Sequence, residues 1–570
     1  MRKLKQLTTE EVMFVGGETD KVYQHTAALI LLDSSDNPGF NFEVYRQHLE
    51  ERLERIPQFH WRLHEVPLGL DLPYWVEDES FSFDHHIRRI AVPSPGDRAA
   101  LTELVAHLYC KHMDRSRPLW EAWFIEGLAD GKFAIVQMQH HCMMDGEGAS
   151  KLVEAMCDFT PHAPPAKVDP HITEAQPGEV PERWRQSLNT ARHLSRLPLE
   201  VGQEALDVFR QVVWQRITHW RMPGKSATAP MACFNGDISG DRGFVFGSLP
   251  FEDIKTVKNH FGVTVNDVVL ALVGSSLRDY LQQRNALPEE SLRTSIAISL
   301  RTEADDEFSN KVTATGVTLA TCITDPVERL QAIAEDTEAA KQKARKGNKG
   351  VMEIVQIFPP LLVNAMVNMA PPEQVIEMAG VNLVVSNVRG SPRPMYVGGS
   401  RIIGMYPMSI IAPGSGLNVT CVSYAGNVDF GITIAPELVP DPWLIIEGLH
   451  RALGYYLGAA SKDSRPAKKA RGKSAARKKT GVSRKAAAGR KAAASNKTAA
   501  RKKTAASKKT AAARKTAAGK KTAAARKTAT SKKTAAARKT ATPGKAAASN
   551  KSQAAKKSGT PASKSRAKRK

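Results

Sequence analysis

Apolar and polar positions follow two periods along this chain, and where they change over marks its elements. From Phe133 to His140 they alternate, with Phe133, Ile135, Gln137 and Gln139 on one side and Ala134, Val136, Met138 and His140 on the other. This period of two predicts a strand. Ala149, Leu152, Val153 and Met156 then recur at helical spacing, so a helix is expected within a few residues of Asp145, with Gly146 and Gly148 permitting a tight entry. Earlier, Ala27 to Leu32 reads as a strand, and Phe42, Tyr45, Leu49, Leu53 and Ile56 mark an amphipathic helix that Asn41 can cap. Leu101, Leu104, Val105 and Leu108 mark another.

Residues 1–160 therefore read as mixed α/β. The segment Thr160 to Pro181 carries prolines at 161, 164, 165, 170, 177 and 181 and reads as a linker; 182–222 reads as helical, interrupted by Pro198. A second α/β half starts near Gly240. In it Asn266 sits where a helix can begin, followed by Val268, Val269, Ala271, Leu272, Ser276 and Leu277 at helical spacing. Ser295 to Leu300 alternates into Arg301, and Val381 to Val385 reads as a buried strand ending at Ser386-Asn387. Val351 to Ala370 is apolar but broken by proline, suiting either core or a lipid-facing lip. The divisions expected are 1–160, a linker with connecting helices over 161–239, 240–460, and a tail over 461–570.

Charge separates the tail from the rest. Of 81 Lys+Arg and 58 acidic residues, 38 and one (Asp463) fall in 461–570, which carries +37 and leaves −14 on the first 460 residues. The tail lacks Phe, Trp, Tyr, Leu, Ile and Met, so it is expected to be disordered when free. Lys-Thr-Ala-Ala-Ala-Arg-Lys-Thr-Ala recurs from Lys509, Lys521 and Lys533. Nothing larger than alanine stacks at that period, which excludes a solenoid. Six cysteines without C-x-x-C pairing argue for a reducing compartment. The first ten residues contain no apolar signal core and no run of about 18 apolar residues occurs, so a cytoplasmic protein, peripheral to the inner membrane or to lipid inclusions, is expected.

Candidate chemistry concentrates in Gln139-His140-His141-Cys142-Met143-Met144-Asp145-Gly146, where strand turns toward helix. A histidine there suits a general base once its ring is oriented, and Asp145 is placed to organise the turn. Hydrogen-bonded turn residues are the plainer explanation. Adjacent histidines on an extended segment face opposite ways and no Cys/His cluster completes a set, which argues against a metal. A second pair, His85-His86, lacks a following Asp-Gly and reads as part of an ordinary strand. Asn266-Asp267 suits a helix cap with an acid in the first turn.

The motif His-His-x-x-x-Asp-Gly resembles that of the acyltransferase superfamily containing chloramphenicol acetyltransferase and peptide condensation domains. More specifically, the chain from about residue 7 to about 458 resembles bacterial wax ester synthases/acyl-CoA:diacylglycerol acyltransferases. The matching stretches are Pro67-Leu68-Gly69-Leu70 with Pro73-Tyr74-Trp75-Val76, Asp114 to Glu121, Thr264 to Ala271, Ser299-Leu300-Arg301, Ser386-Asn387-Val388 and Gly416-Leu417-Asn418. It departs from the family at Arg389-Gly390-Ser391-Pro392, where Pro-Gly-Pro is usual.

The resemblance implies two chloramphenicol-acetyltransferase-like α/β domains forming a tunnel, with the basic tail appended. It implies transfer of a fatty acyl group from acyl-CoA, as substrate and without a cofactor, to diacylglycerol or a long-chain alcohol. His141 is then the general base, with His140 and Asp145 in the site and Gly146 in its turn. Asn266 and Asp267 come near the site, where a carboxamide can donate to a developing oxyanion. Arg301 is a candidate partner of Asp145, and Ser386 and Asn387 support. Cys142 as a covalent nucleophile is the alternative chemistry. A hydrolase or a condensation enzyme is an alternative activity, although no lipase-type G-x-S-x-G stands out. The tail resembles those of linker histones and bacterial histone-like proteins, which implies sequence-independent DNA binding or attraction to anionic lipid. A nucleic-acid- or inclusion-coating protein with a minor catalytic role is thus the reading from a different class.

Overall fold

The structure, a computed structural model, describes residues 5–54, 56–66, 72–144, 152–162, 229–299, 312–345, 376 and 379–463. Asp145, Gly146, Arg301, the expected helices over 182–222, most of the proline-rich linker, the apolar stretch 351–370 and the tail beyond Asp463 lie outside these residues.

In the first half the described elements are β1 (Lys5–Gln6), α1 (Thr9–Gly16), β2 (His25–Asp33), α2 (Phe42–Leu53), β3 (Trp61–His64), β4 (Tyr74–Glu77), α3 (Phe83–His86), β5 (Ile87–Ala91), α4 (Arg98–Tyr109), β6 (Trp120–Glu126) and β7 (Phe133–His140). Short polar side chains start the helices by satisfying orphan backbone donors. Asn41 accepts from the Val44 N–H at the head of α2, as its sequence predicts, and Asp97 accepts from Ala100 at the head of α4. Residues 152–156 are helical, in line with the spacing of Leu152, Val153 and Met156.

The second half follows with β8 (Gly243–Pro250), α5 (Phe251–Phe261), α6 (Val265–Gln283), β9 (Arg293–Ser299), β10 (Val312–Thr318), α7 (Pro326–Arg345), β11 (Leu383–Arg389), β12 (Tyr396–Val397), β13 (Ser400–Met408), β14 (Leu417–Tyr424), β15 (Asn427–Ile434) and α8 (Trp443–Asp463). Helix α6 is buried around most of its circumference, including Val268 to Leu272, so it is the central helix of this half. No single helix among the described residues is long and apolar enough to cross a membrane.

Two six-stranded sheets organise these elements, in the orders β12-β13-β2-β7-β6-β5 and β10-β9-β11-β14-β15-β8, with a small third sheet β1-β4-β3. The first sheet is not built from the first half alone. Strands β12 and β13 come from the second half, and β13 runs antiparallel to β2 from Arg401 opposite Asp33 to Met408 opposite Ala27. Strand β7 lies inside this sheet, between β2 and β6, and every residue after Phe133 is buried. Its two faces enter separate cores, with Val136 and Met138 in one and Ile135 in the other. The alternation in its sequence therefore marks two covered faces rather than one wet and one dry.

Strand β13 also meets the second sheet. A Cβ on Gly431 of β15 would lie 1.8 Å from the Pro407 carbonyl oxygen, so only glycine lets the two backbones approach this closely. Beside it Asp429, fully buried, accepts from the Met405 N–H at 2.9 Å and from the Ser248 hydroxyl at 2.6 Å. One carboxylate thus joins β13, β15 and β8. Burial pushes it up to about 6, although both hydrogen bonds pull the other way.

A carboxyl group whose folded value is raised stabilises the fold while protonated, and that contribution disappears as pH rises through about 6. Asp429→Asn keeps an acceptor and a donor but has no charge to bury. Its melting temperature relative to the native protein should therefore climb between pH 4 and pH 7 and then level off. A difference that does not change with pH would show that Asp429 is not the titrating group.

Candidate active site

Strand β7 ends at His140, whose N–H bonds to the Leu119 carbonyl at 2.9 Å, and opposite it on β2 stands His25. The chain turns at once, with the Met143 N–H bonding to the His140 carbonyl at 3.0 Å. His141 lies beyond the strand, in the turn, and its N–H donates to the Gln24 carbonyl at 2.8 Å. The extended pair expected from the sequence is thus split between strand and turn.

The two rings occupy different surroundings. His140 is 1% exposed, and its Nδ1 accepts from the Cys142 N–H at 3.2 Å, which assigns the ring proton to Nε2. That nitrogen faces Glu18 Oε2 at 4.0 Å. Glu18 in turn is held by Arg115 at 2.8 Å and faces His112 at 3.2 Å. Burial raises the Glu18 carboxyl, but Arg115, His140 and His112 together outweigh it and hold it below the usual carboxylate range. Burial dominates at the histidines, lowering His140 to about 3 and His25 to about 4 against the pull of Glu18. His25 donates from Nε2 to the Tyr109 carbonyl at 2.9 Å and is neutral too. His141 is only half-buried, and the Phe14 ring stacks on it with centroids 4.1 Å apart and planes at 14°. Of the motif's two histidines, it is the one that is not fully buried.

Cys142 is 1% exposed, and burial pushes its thiol upward, which disfavours the nucleophilic thiolate. Among the described residues no group of three or more His, Cys, Asp and Glu side chains is arranged to hold a metal ion.

The other predicted site residues lie in the second half. The cap of α6 is Thr264 rather than Asn266, because Thr264 and Asp267 satisfy each other's backbone in a capping box. Asp267 accepts from the Thr264 N–H at 2.8 Å with one oxygen and from the Thr337 hydroxyl at 2.7 Å with the other, so its carboxylate is occupied in holding α6 to α7. The Asn387 amide of β11 donates to the Asn266 side-chain oxygen in the first turn of α6 at 3.5 Å. Strand β11 does not end at Ser386-Asn387. It pairs in parallel with β14 as far as Arg389, which places Ser386 opposite Thr420 and Asn387 opposite Cys421. The structure thus brings Asn266 and Asn387 together at the second sheet, whereas the histidine turn follows a strand of the first. The pair His85-His86 closes a helical turn, not a strand; His86 stacks on Trp120 at 4.5 Å and donates from Nδ1 to the Trp120 carbonyl, 2.8 Å away.

Phe14, Glu18, His25 and Arg115 also border the histidine turn. Arg115 lies in a matching stretch, Asp114 to Glu121, and was legible there. The others lie over a hundred residues from the motif, and no local period marks them.

An unfolded histidine titrates near 6.5, so the lowered His25 takes up its proton only on unfolding between that value and about 4. Folded stability is full above the upper limit and falls as pH drops through the window, by on the order of 2 kcal/mol at pH 5. His25→Gln can retain the bond to Tyr109 without the titration. Urea unfolding should give a smaller loss between pH 7 and pH 5 for this variant than for the native chain; equal losses would mean His25 does not contribute.

Comparison with known proteins agrees with this architecture. The family described as wax ester synthase/diacylglycerol acyltransferase catalytic domain matches residues 7–269, and the corresponding C-terminal domain matches residues 308–455. A Mycobacterium tuberculosis H37Rv relative named for diacylglycerol O-acyltransferase activity is 30% identical over 454 residues, covering 79% of this chain and 89% of its own length. Another from the same strain, designated tgs2 and named for the same activity, is 32% identical over 455 residues, covering 77% of this chain and 96% of its own. The solved wax ester synthase/diacylglycerol acyltransferase from Marinobacter aquaeolei VT8 superposes with a TM-score of 0.60 at 28% identity, covering 80% of this chain and all of that one. With both family domains matched in order across the two halves, this chain belongs to the wax ester synthase/diacylglycerol acyltransferase family and is an acyl-CoA-dependent O-acyltransferase.

Proposed function

We propose that this enzyme transfers a fatty acyl group from acyl-CoA to the hydroxyl of diacylglycerol or a long-chain alcohol, with His141 as general base. The observation that carries the base assignment is the contrast between the two rings. His140 is sealed and neutral with its Nδ1 already occupied, whereas His141 is half-buried at the strand-to-turn junction. His141 takes the hydroxyl proton as that oxygen attacks the thioester carbonyl. The carbon–sulfur bond then breaks and the imidazolium returns the proton to the departing CoA thiolate. Direct transfer needs both substrates together and no covalent acyl-enzyme, which agrees with the buried Cys142. As the family resemblance implies, Asp145 and Gly146 are assigned to the turn and Arg301 as the candidate partner of Asp145, with Asn266, Ser386 and Asn387 as supporting residues. Asp267 is structural, through its cap.

His141→Ala should lose acyl transfer by roughly 10²- to 10⁴-fold, the usual worth of a placed general base, while the fold survives. Turnover like that of the native enzyme would remove His141 from the mechanism.

The tail gives the enzyme its location in this reading. Its +37 over 461–570 draws it to polyanions. Each charge near an anionic membrane or lipid-inclusion surface contributes about 1 kcal/mol, bringing the cytoplasmic enzyme to its apolar acceptor. Duplex DNA is the competing polyanion. Without aromatic residues to stack on bases, binding there is independent of sequence, and neutralising about ten phosphates gives a slope of log K against log salt near −9. A chain ending at Lys468 should lose binding to anionic vesicles and DNA while keeping turnover on a soluble alcohol. Retention of either binding by the shortened, net-acidic chain would show that the tail is not the element responsible.

A further inference from the structure

We infer that Phe14 is a positioning residue of the acyl transfer, fixing the plane of the His141 imidazole; this rests on His141 being the base. The sp³–sp² torsion of a histidine ring is soft and roughly two-fold, so a base on a turn needs something to aim its lone pair. Phe14 covers one face of the imidazole in a near-parallel stack, with centroids 4.1 Å apart and planes at 14°. Turning the imidazole out of that plane would drive its edge into the phenyl ring.

The phenyl ring is itself anchored to the frame that holds the base. Helix α1 starts in a capping box formed by Thr8 and Glu11. Its far end is tied down where the Arg115 guanidinium donates to the Val15 carbonyl at 2.6 Å, one residue beyond Phe14. Gln24 then joins the two sides, because its side chain donates to the Gly17 carbonyl at 3.2 Å while its own carbonyl accepts the His141 N–H at 2.8 Å. The fit is close. A Cβ on Gly17 would lie 2.9 Å from the Met13 carbonyl oxygen and 3.0 Å from the Gln24 amide nitrogen.

Stacking also acts during the reaction. Once His141 holds the alcohol's proton it is a cation lying over the negative face of a π system, an arrangement that favours the charged ring. Leucine at position 14 would fill similar space with neither a plane nor a π face, whereas tyrosine would keep both.

The test uses the full-length enzyme carrying Phe14→Leu, Phe14→Tyr, His141→Gln and the double variant Phe14→Leu/His141→Gln, assayed under steady-state and single-turnover conditions with acyl-CoA and a soluble long-chain alcohol. Phe14→Leu should lower kcat about 10-fold or more with KM within about twofold, as misaimed groups do. It should also move the acid limb of the kcat/KM profile to lower pH, because the imidazolium is less favoured. Phe14→Tyr should stay within about threefold of the native enzyme. Added to His141→Gln, Phe14→Leu should cost nothing further, since its effect passes through the imidazole. A native kcat and unmoved profile in Phe14→Leu, with His141→Gln inactive, would overturn the role of Phe14 and leave the base assignment standing. An equal loss in the His141→Gln background, or from Phe14→Tyr as from Phe14→Leu, would reduce Phe14 to packing and overturn the inference. Native turnover in His141→Gln would overturn both.

Discussion

A buried carboxylate holds the two sheets together, and the placing of the histidine turn depends on that join. Asp429 accepts from β13 through the Met405 N–H and from β8 through Ser248, while Gly431 lets the β13 backbone close on β15. Strand β13 then pairs along the outer side of β2, which would otherwise be an unpaired edge. Strand β2 carries His25 opposite His140 and, just before it, the Gln24 carbonyl that fixes the His141 backbone. A residue near the end of the fold thus helps define where the histidines near its beginning sit. Burying the charge is unfavourable in itself, as its raised pKa records, but removing one partner of such a contact leaves the other without hydrogen bonds.

Beneath the histidine turn a second buried polar group is arranged differently. His25 and His140 are neutral, and among the described residues the charges that act on them include Glu18, Arg115 and Arg242. No group among the described residues hydrogen-bonds to His25 Nδ1 or His140 Nε2, and each such atom weakens the fold. The arrangement resists protonation from beneath. In the proposed mechanism, a proton taken up by His141 thus finds no buried imidazole beneath it ready to receive it.

The parts of this fold legible in the sequence were those whose cause is local. Helix α2 could be read from one apolar stripe and its asparagine cap, and β7 from its alternation. Asn266 is a good cap in isolation, but α6 starts from a reciprocal pair, Thr264 with Asp267, whose cap lies two residues earlier. Ser386 and Asn387 are polar and read as the end of a strand, yet parallel pairing with β14 carries β11 past them. The turn bearing the two histidines was visible as a motif and a change of period. Its surroundings were not, since Phe14, Glu18 and His25 reach it through tertiary contacts that leave no periodic trace. The exchange of β13 into the first sheet is likewise a decision made by the whole chain.

That exchange has a consequence during synthesis. Chains leave the ribosome at about 5–20 residues per second, so the segment carrying β2 emerges tens of seconds before the one carrying β13. Throughout that interval the outer ladder of β2 has no native partner, and its apolar run from Ala27 to Leu32 is a template for another nascent chain. The enzyme's vulnerability to aggregation thus lies less in its finished form than in the order of its translation, and a gene split between its two halves would have to deliver both pieces at once.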